Sequence, residues 1–279
     1  MLGRLKRVLC CMGNVRGVCV VFALLLGGGC AAGKVGLSDY IDESNRTLNA
    51  GVWTWAERPL GQAKTPVAVA KKEGGGNRIL PLRIYVEGDG HAYISKGVVS
   101  GDPTPLNPVA LRLAMADRYD DVMYVGRPCQ WVRGPGCSNK AVWTTERFTE
   151  EVAQAYAAMV AELSAGRPVE LVGYSGGAWV ALQVAARLEN VVRVVSVAGN
   201  LMPDYVNAHH KVTRIGVAGY PAGRLADVPV VAYVGQHDRV VPRGVVEAYV
   251  QATGARNVRV VEVEAGHGEG WDRGLGIRD

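Results

Sequence analysis

The stretch VELVGYSGGAWVALQVAARL, Val169 to Leu188, runs a mostly apolar segment into a serine flanked by Gly173, Gly176 and Gly177, and then into an apolar, alanine-rich segment. Val169, Leu171, Val172 and Tyr174, apolar or β-favouring and placed just before the serine, read as a strand, and the segment after it reads as a helix. A sharp turn at that junction pushes a side chain out beyond the sheet edge. Glycines permit the crowded backbone that such a turn creates. Residues 173–177 match G-x-S-x-G, a weak signal alone in a chain with 36 glycines. The strand-turn-helix context carries it, the alternative being a glycine-rich turn that merely packs a helix closely on a strand.

The same alternation continues on both sides. PVAVAKK and RILPLRIYV read as two strands joined by a glycine-rich turn; PVALRLAMAD reads as a helix and DVMYVG as a strand. A long helix is expected from about Thr149 to Ala165. VVRVVSVAG and VPVVAYVG read as strands separated by an irregular segment over 200–227, followed by a helix from Pro242 to Ala252 and a last strand, NVRVVEVE. Strands of continuous Val, Leu and Ile alternating with helices are what a parallel sheet covered on both faces requires. The expected class is α/β, with one domain over 51–279 and a tether over 30–50.

A serine hydroxyl becomes a nucleophile when a base takes its proton and an acid orients that base. His267, in EAGHGEGW, follows the last strand, and Asp238, in YVGQHDRVVP, follows the strand before it. Both stand at carboxyl ends of strands, where sites of open α/β sheets lie. The order Ser175, Asp238, His267 is that of the α/β-hydrolase triad. From about residue 67 to 272 the chain resembles the α/β-hydrolase superfamily. Asp204 is an alternative acid. His209 and His210 are adjacent, would point in different directions in any regular segment, and read as bounding the pocket or as structural, while His237 suits loop packing better than proton transfer.

The resemblance implies a mostly parallel sheet with helices on both faces, a minimal lid, and an oxyanion hole of the Gly176 and Asp89 backbone N–H groups. Relatives often carry His-Gly-x-Gly where Glu87-Gly88-Asp89-Gly90 stands here. More narrowly, YVEGDGHA, GDPTPLNPVALRLA and YVGRPCQWV resemble a group of exported bacterial α/β hydrolases. Tyr93, Tyr174 and Trp131 are candidates to shape a pocket. The implied activity is a serine hydrolase, carboxylesterase-like, acting on a small-molecule acyl substrate without metal or organic cofactor. A peptidase, thioesterase or lysophospholipase with the same triad, and a non-catalytic binding module, stay open.

The first residues carry a different signal. Arg4, Lys6 and Arg7, the apolar run Val18–Leu26 and GGGCAAG have the layout of a signal peptide over 1–29. Its apolar run is about half the ~20 residues of a spanning helix. Cys30 stands where a bacterial lipoprotein is lipidated, although Gly27 occupies the usual leucine position; secretion without an anchor is the alternative. The expected location is the cell envelope. Of the 31 basic and 26 acidic side chains, four bases and no acid lie in the leader. The body is therefore nearly charge-balanced, and nothing in it argues for nucleic-acid binding. Cys129 and Cys137, the two cysteines left in the body, enclose Gly134-Pro135-Gly136 and read as a disulfide, with a pair of free thiols as the alternative.

Overall fold

Each residue of the strand before Ser175 is buried, as a strand covered on both faces must be. A computed structural model describes residues 35–46, 51–74, 80–212, 215–221 and 223–271. The proposed signal peptide and Cys30 lie outside these residues. In chain order the elements are α1 (Leu37–Arg46), β1 (Val52–Leu60), β2 (Thr65–Glu73), β3 (Leu82–Val86), β4 (Tyr93–Ser95), β5 (Val98–Val99), α2 (Val109–Ala116), β6 (Val122–Val125), α3 (Glu150–Ser164), β7 (Val169–Tyr174), α4 (Gly176–Ala185), β8 (Val191–Val197), α5 (Pro203–His209), β9 (Val230–Gly235), α6 (Val245–Thr253) and β10 (Val258–Val263).

Eight strands form one sheet in the order β1-β2-β6-β3-β7-β8-β9-β10. The pairs from β6 to β10 are parallel, whereas β1–β2 and β2–β6 are antiparallel. Alternate residues feed two cores. Ile84, Leu171, Val194 and Ala232 meet side chains of α3, α4 and α6 on one face. Tyr85, Val172, Val195 and Val231 meet those of α1 and α2 on the other. Among the described residues, the helical elements between β8 and β9 are the seven-residue α5 and a 3-10 turn at Arg224–Ala226, and no substantial lid is seen over the sheet edge.

The structure adds to the sequence reading in three places. The two strands expected on either side of the glycine-rich turn, β2 and β3, are not partners: β6 lies between them and pairs with both. An apolar run records that a strand is buried but not what lies beside it. β1 fills the antiparallel edge, joined to β2 through residues 61–64. The segment 30–50, expected as a tether, contains α1. Leu37 and Ile41, one helical turn apart, are 3% and 4% exposed, and Asn45 exchanges two hydrogen bonds with the Trp53 backbone. The charged residues of α1 face solvent, which made the segment look structureless.

Candidate active site

The parallel strands deliver their following loops to one edge of the sheet. Ser175 stands there in a strained conformation, φ 49° and ψ −122°, between β7 and α4. Its N–H donates to Val197 O, and its carbonyl accepts from Asn200 N. The turn closes so tightly that a Cβ on Gly173 would collide with the Ala178 backbone, and one on Gly177 with the carbonyls of Val86 and Glu87. Close approach, not freedom of φ, requires glycine at both places.

The structure brings Ser175, His267 and Asp238 together. His267 Nε2 lies 3.0 Å from Ser175 Oγ, and Nδ1 lies 2.9 Å from Asp238 Oδ2. The two loops are spliced: Gln236 N donates to Val263 O and His237 N to Ala265 O, prolonging the β9–β10 pairing past both strand ends. The other Asp238 oxygen accepts from Val240 N and Val241 N at 2.8 and 2.9 Å. Burial pushes the Asp238 carboxyl up, but the His267 ring and these N–H groups outweigh it and hold the acid below its ordinary range. Its side chain is 2% exposed against 20% for His267. The His267 ring is thus reachable and the Asp238 carboxylate is not. The His267 carbonyl accepts from Tyr174 Oη and from Trp271 Nε1, so one strand residue and one buried tryptophan pin the loop.

Asp204 lies in the first turn of α5, and since both His267 ring nitrogens are engaged elsewhere it is not the partner. His209 and His210 stack edge to face at the end of α5, with His210 on Val240 O. Tyr174 lies against the His267 ring at 5.4 Å. Trp131 instead turns its indole N–H to Tyr124 and packs edge to face with Tyr40, and Tyr93 is exposed on β4. Cys129 and Cys137 form a disulfide with Cα atoms 5.7 Å apart. Among the described residues no cluster of three or more His, Cys, Asp or Glu could hold a metal.

The loop after β3 carries roles that its sequence concealed. Glu87 is 1% exposed, and its carboxyl accepts from Gly88 N, from Ala110 N and Leu111 N at the start of α2, and from Tyr124 Oη. It therefore caps α2, whose own cap position, Pro108, offers no side-chain acceptor. Burial raises its pKa to about 7 against these hydrogen bonds. Among the described residues, no group engages the N–H of Asp89 or of Gly176. The Asp89 carboxylate is gripped by Arg127 and Arg147. Arg127, directly after β6, was visible as a charge at the site edge; Arg147 carried no comparable signal.

Solved structures with this architecture include an esterase of Pyrococcus furiosus, at TM-score 0.51 and 14% identity over 77% of this chain and 84% of that one. The esterase domain of a Rhodothermus marinus protein matches at 0.50 and 12%, over 79% and 91%. A Klebsiella pneumoniae protein designated a dienelactone hydrolase matches at 0.51 and 17%, over 78% and 88%. No protein-family model and no curated protein matches the chain. The chain has the α/β-hydrolase fold.

Proposed function

We propose that the protein is a serine hydrolase that cleaves an ester or related acyl bond of a small molecule. The observation that carries this reading is the continuous hydrogen-bond chain from Asp238 through His267 to Ser175. Ser175 Oγ forms a bond to the acyl carbon while His267 Nε2 takes its proton. The carbonyl electron pair moves onto oxygen and is held by the Gly176 and Asp89 N–H groups. Collapse expels the leaving alkoxide, which takes the proton from His267 and leaves an acyl-serine. Water, deprotonated by the same ring, then releases the acid. Asp238 keeps the Nδ1 proton in place and stabilises the imidazolium. Two unengaged N–H groups beside the serine and a backbone strained into the elbow support catalysis over mere binding. The absence of a substantial lid among the described residues supports an open site for modest acyl groups.

The deciding experiment is labelling with a fluorophosphonate, together with hydrolysis of p-nitrophenyl esters of graded chain length. Labelling and turnover that vanish in Ser175→Ala support the enzyme; a folded wild-type chain inert in both is the binding module instead. We further propose that residues 1–29 direct export and that Cys30 anchors the chain to a membrane of the envelope.

A further inference from the structure

The excursion from β6 to α3 leaves the sheet at Arg127, passes the disulfide, and returns at Arg147 and Phe148. Its two ends converge on one carboxylate. Arg127 Nη1 donates to Asp89 Oδ1 at 3.2 Å and Arg147 Nε to Oδ2 at 2.8 Å. Arg127 Nη2 also donates to the Arg147 carbonyl, and Arg147 Nη1 to Thr144 O. Both guanidiniums lie over the Phe148 ring, at 5.6 and 4.7 Å from its centroid. The side chains of Arg127 and Arg147 are only 3% and 13% exposed. Asp89 Oδ1 occupies the space that a Cβ on Gly176 would need, so the carboxylate rests on the residue that follows the nucleophile.

A negative charge there opposes the oxyanion that ester cleavage develops beside the Gly176 N–H. Two buried cations reverse the sign of the cluster. Buried ion pairs contribute little net stability relative to apolar packing, so stability alone does not account for a buried arginine at this place. Gln130 Nε2 donates to Gly88 O and adds a third hold on the same loop.

Resting on the serine-hydrolase reading above, we propose that Arg127 and Arg147 are positioning residues of the reaction: they clamp Asp89 against Gly176, fix the second oxyanion donor, and give the cluster beside the oxyanion a net charge of +1. Arg147→Gln leaves Arg127 and Asp89 with no net charge. Adding Asp89→Asn restores +1 while removing one more native ion pair, so charge and contact are separated.

The test compares the full chain with Arg147→Gln, Arg147→Lys and the double variant Arg147→Gln/Asp89→Asn. Measured are kcat and KM on p-nitrophenyl acetate and inhibition by a trifluoromethyl ketone, whose serine adduct carries the oxyanion. Arg147→Gln should lose about 10- to 100-fold in kcat and in ketone affinity together, less than loss of a direct oxyanion donor, with KM within about threefold. The double variant should regain at least about fivefold over Arg147→Gln. Unchanged kcat in Arg147→Gln, or a double variant slower than the single, overturns the proposal. Should Arg147→Gln not fold, Arg147→Lys carries the test: it retains the charge but not the fork or the stacking on Phe148, so kcat and ketone affinity should fall together by about three- to tenfold with KM within about threefold, and a fall in one without the other overturns the proposal. A wild-type chain that neither hydrolyses the ester nor reacts with fluorophosphonate removes the hydrolase reading and this inference together. Wild-type turnover that Ser175→Ala abolishes and Arg147→Gln leaves intact removes this inference alone.

Discussion

Ser175 keeps φ at 49° although it bears a side chain, and the hydrogen bonds to Val197 and Asn200 hold it there. Such a conformation stores about 1–3 kcal/mol, which a glycine would not store. Ser175→Ala and Ser175→Gly both lack the hydroxyl, so their difference reports the backbone alone. Ser175→Gly should melt higher, by about 1 kcal/mol after the glycine's greater unfolded-state entropy is set against the relief. Equal or reversed melting temperatures would show the elbow to be unstrained. The kinetic counterpart follows from the hydrogen-bond chain. Ser175→Ala and His267→Ala should each lose on the order of 10⁶ in kcat, and the double variant no more, because the two act as one unit. Asp238→Asn should lose about 10⁴ by favouring the wrong His267 tautomer; a loss below tenfold would remove the acid from its role.

Between elements, Glu87 joins β3 to the start of α2, and its carboxyl titrates near 7 rather than 4.5 because burial disfavours the charge. In the window between these values the folded chain keeps a proton that the unfolded chain has lost. The stability from this group is therefore fully present below 4.5 and is lost as pH rises through 7, a change of about 3 kcal/mol. Glu87→Gln should flatten that part of the stability-against-pH curve, measured by urea unfolding between pH 4.5 and 8. An identical slope in both proteins would mean that Glu87 is charged throughout. The disulfide acts at the same scale. Closing so short a loop contributes roughly 2–3 kcal/mol on the entropic model, yet its loop also holds Gln130 against the Asp89 loop, and the Gln130 Oε1 accepts from the Arg127 N–H. Cys137→Ser should still fold, with ester turnover falling further than the loss in melting temperature suggests; kinetics matching wild type would separate the bond from the site.

For the whole molecule, α1 is part of the domain and not an appendage. It covers one face of the sheet through Leu37 and Ile41, ties to β1 through Asn45, and sets Tyr40 against Trp131 in the disulfide loop. A chain beginning at Gly51 should be destabilised by several kcal/mol relative to the full chain, since each deleted core side chain removes about 2–5 kcal/mol. Unchanged thermal melting would return the segment to the tether first expected. By itself the sequence determined the strands β2, β3 and β6 to β10, the helices α2, α3, α4 and α6 to within a few residues, the elbow at Ser175, and the placing of Asp238 and His267 after the last two strands. All of these are written in local pattern: apolar runs of strand length, helical periodicity, and reactive residues just past a strand's carboxyl end. Only the tertiary structure decided that β6 separates β2 from β3, that the edge turns antiparallel through β1, and that Glu87 caps a helix 23 residues away. It alone also decided that Arg127 and Arg147, 20 residues apart, meet on one carboxylate. Those facts concern which segment lies beside which. A residue's own neighbours in the chain carry no record of that, because strand pairing and buried charge pairing are settled by the packing of the whole sheet.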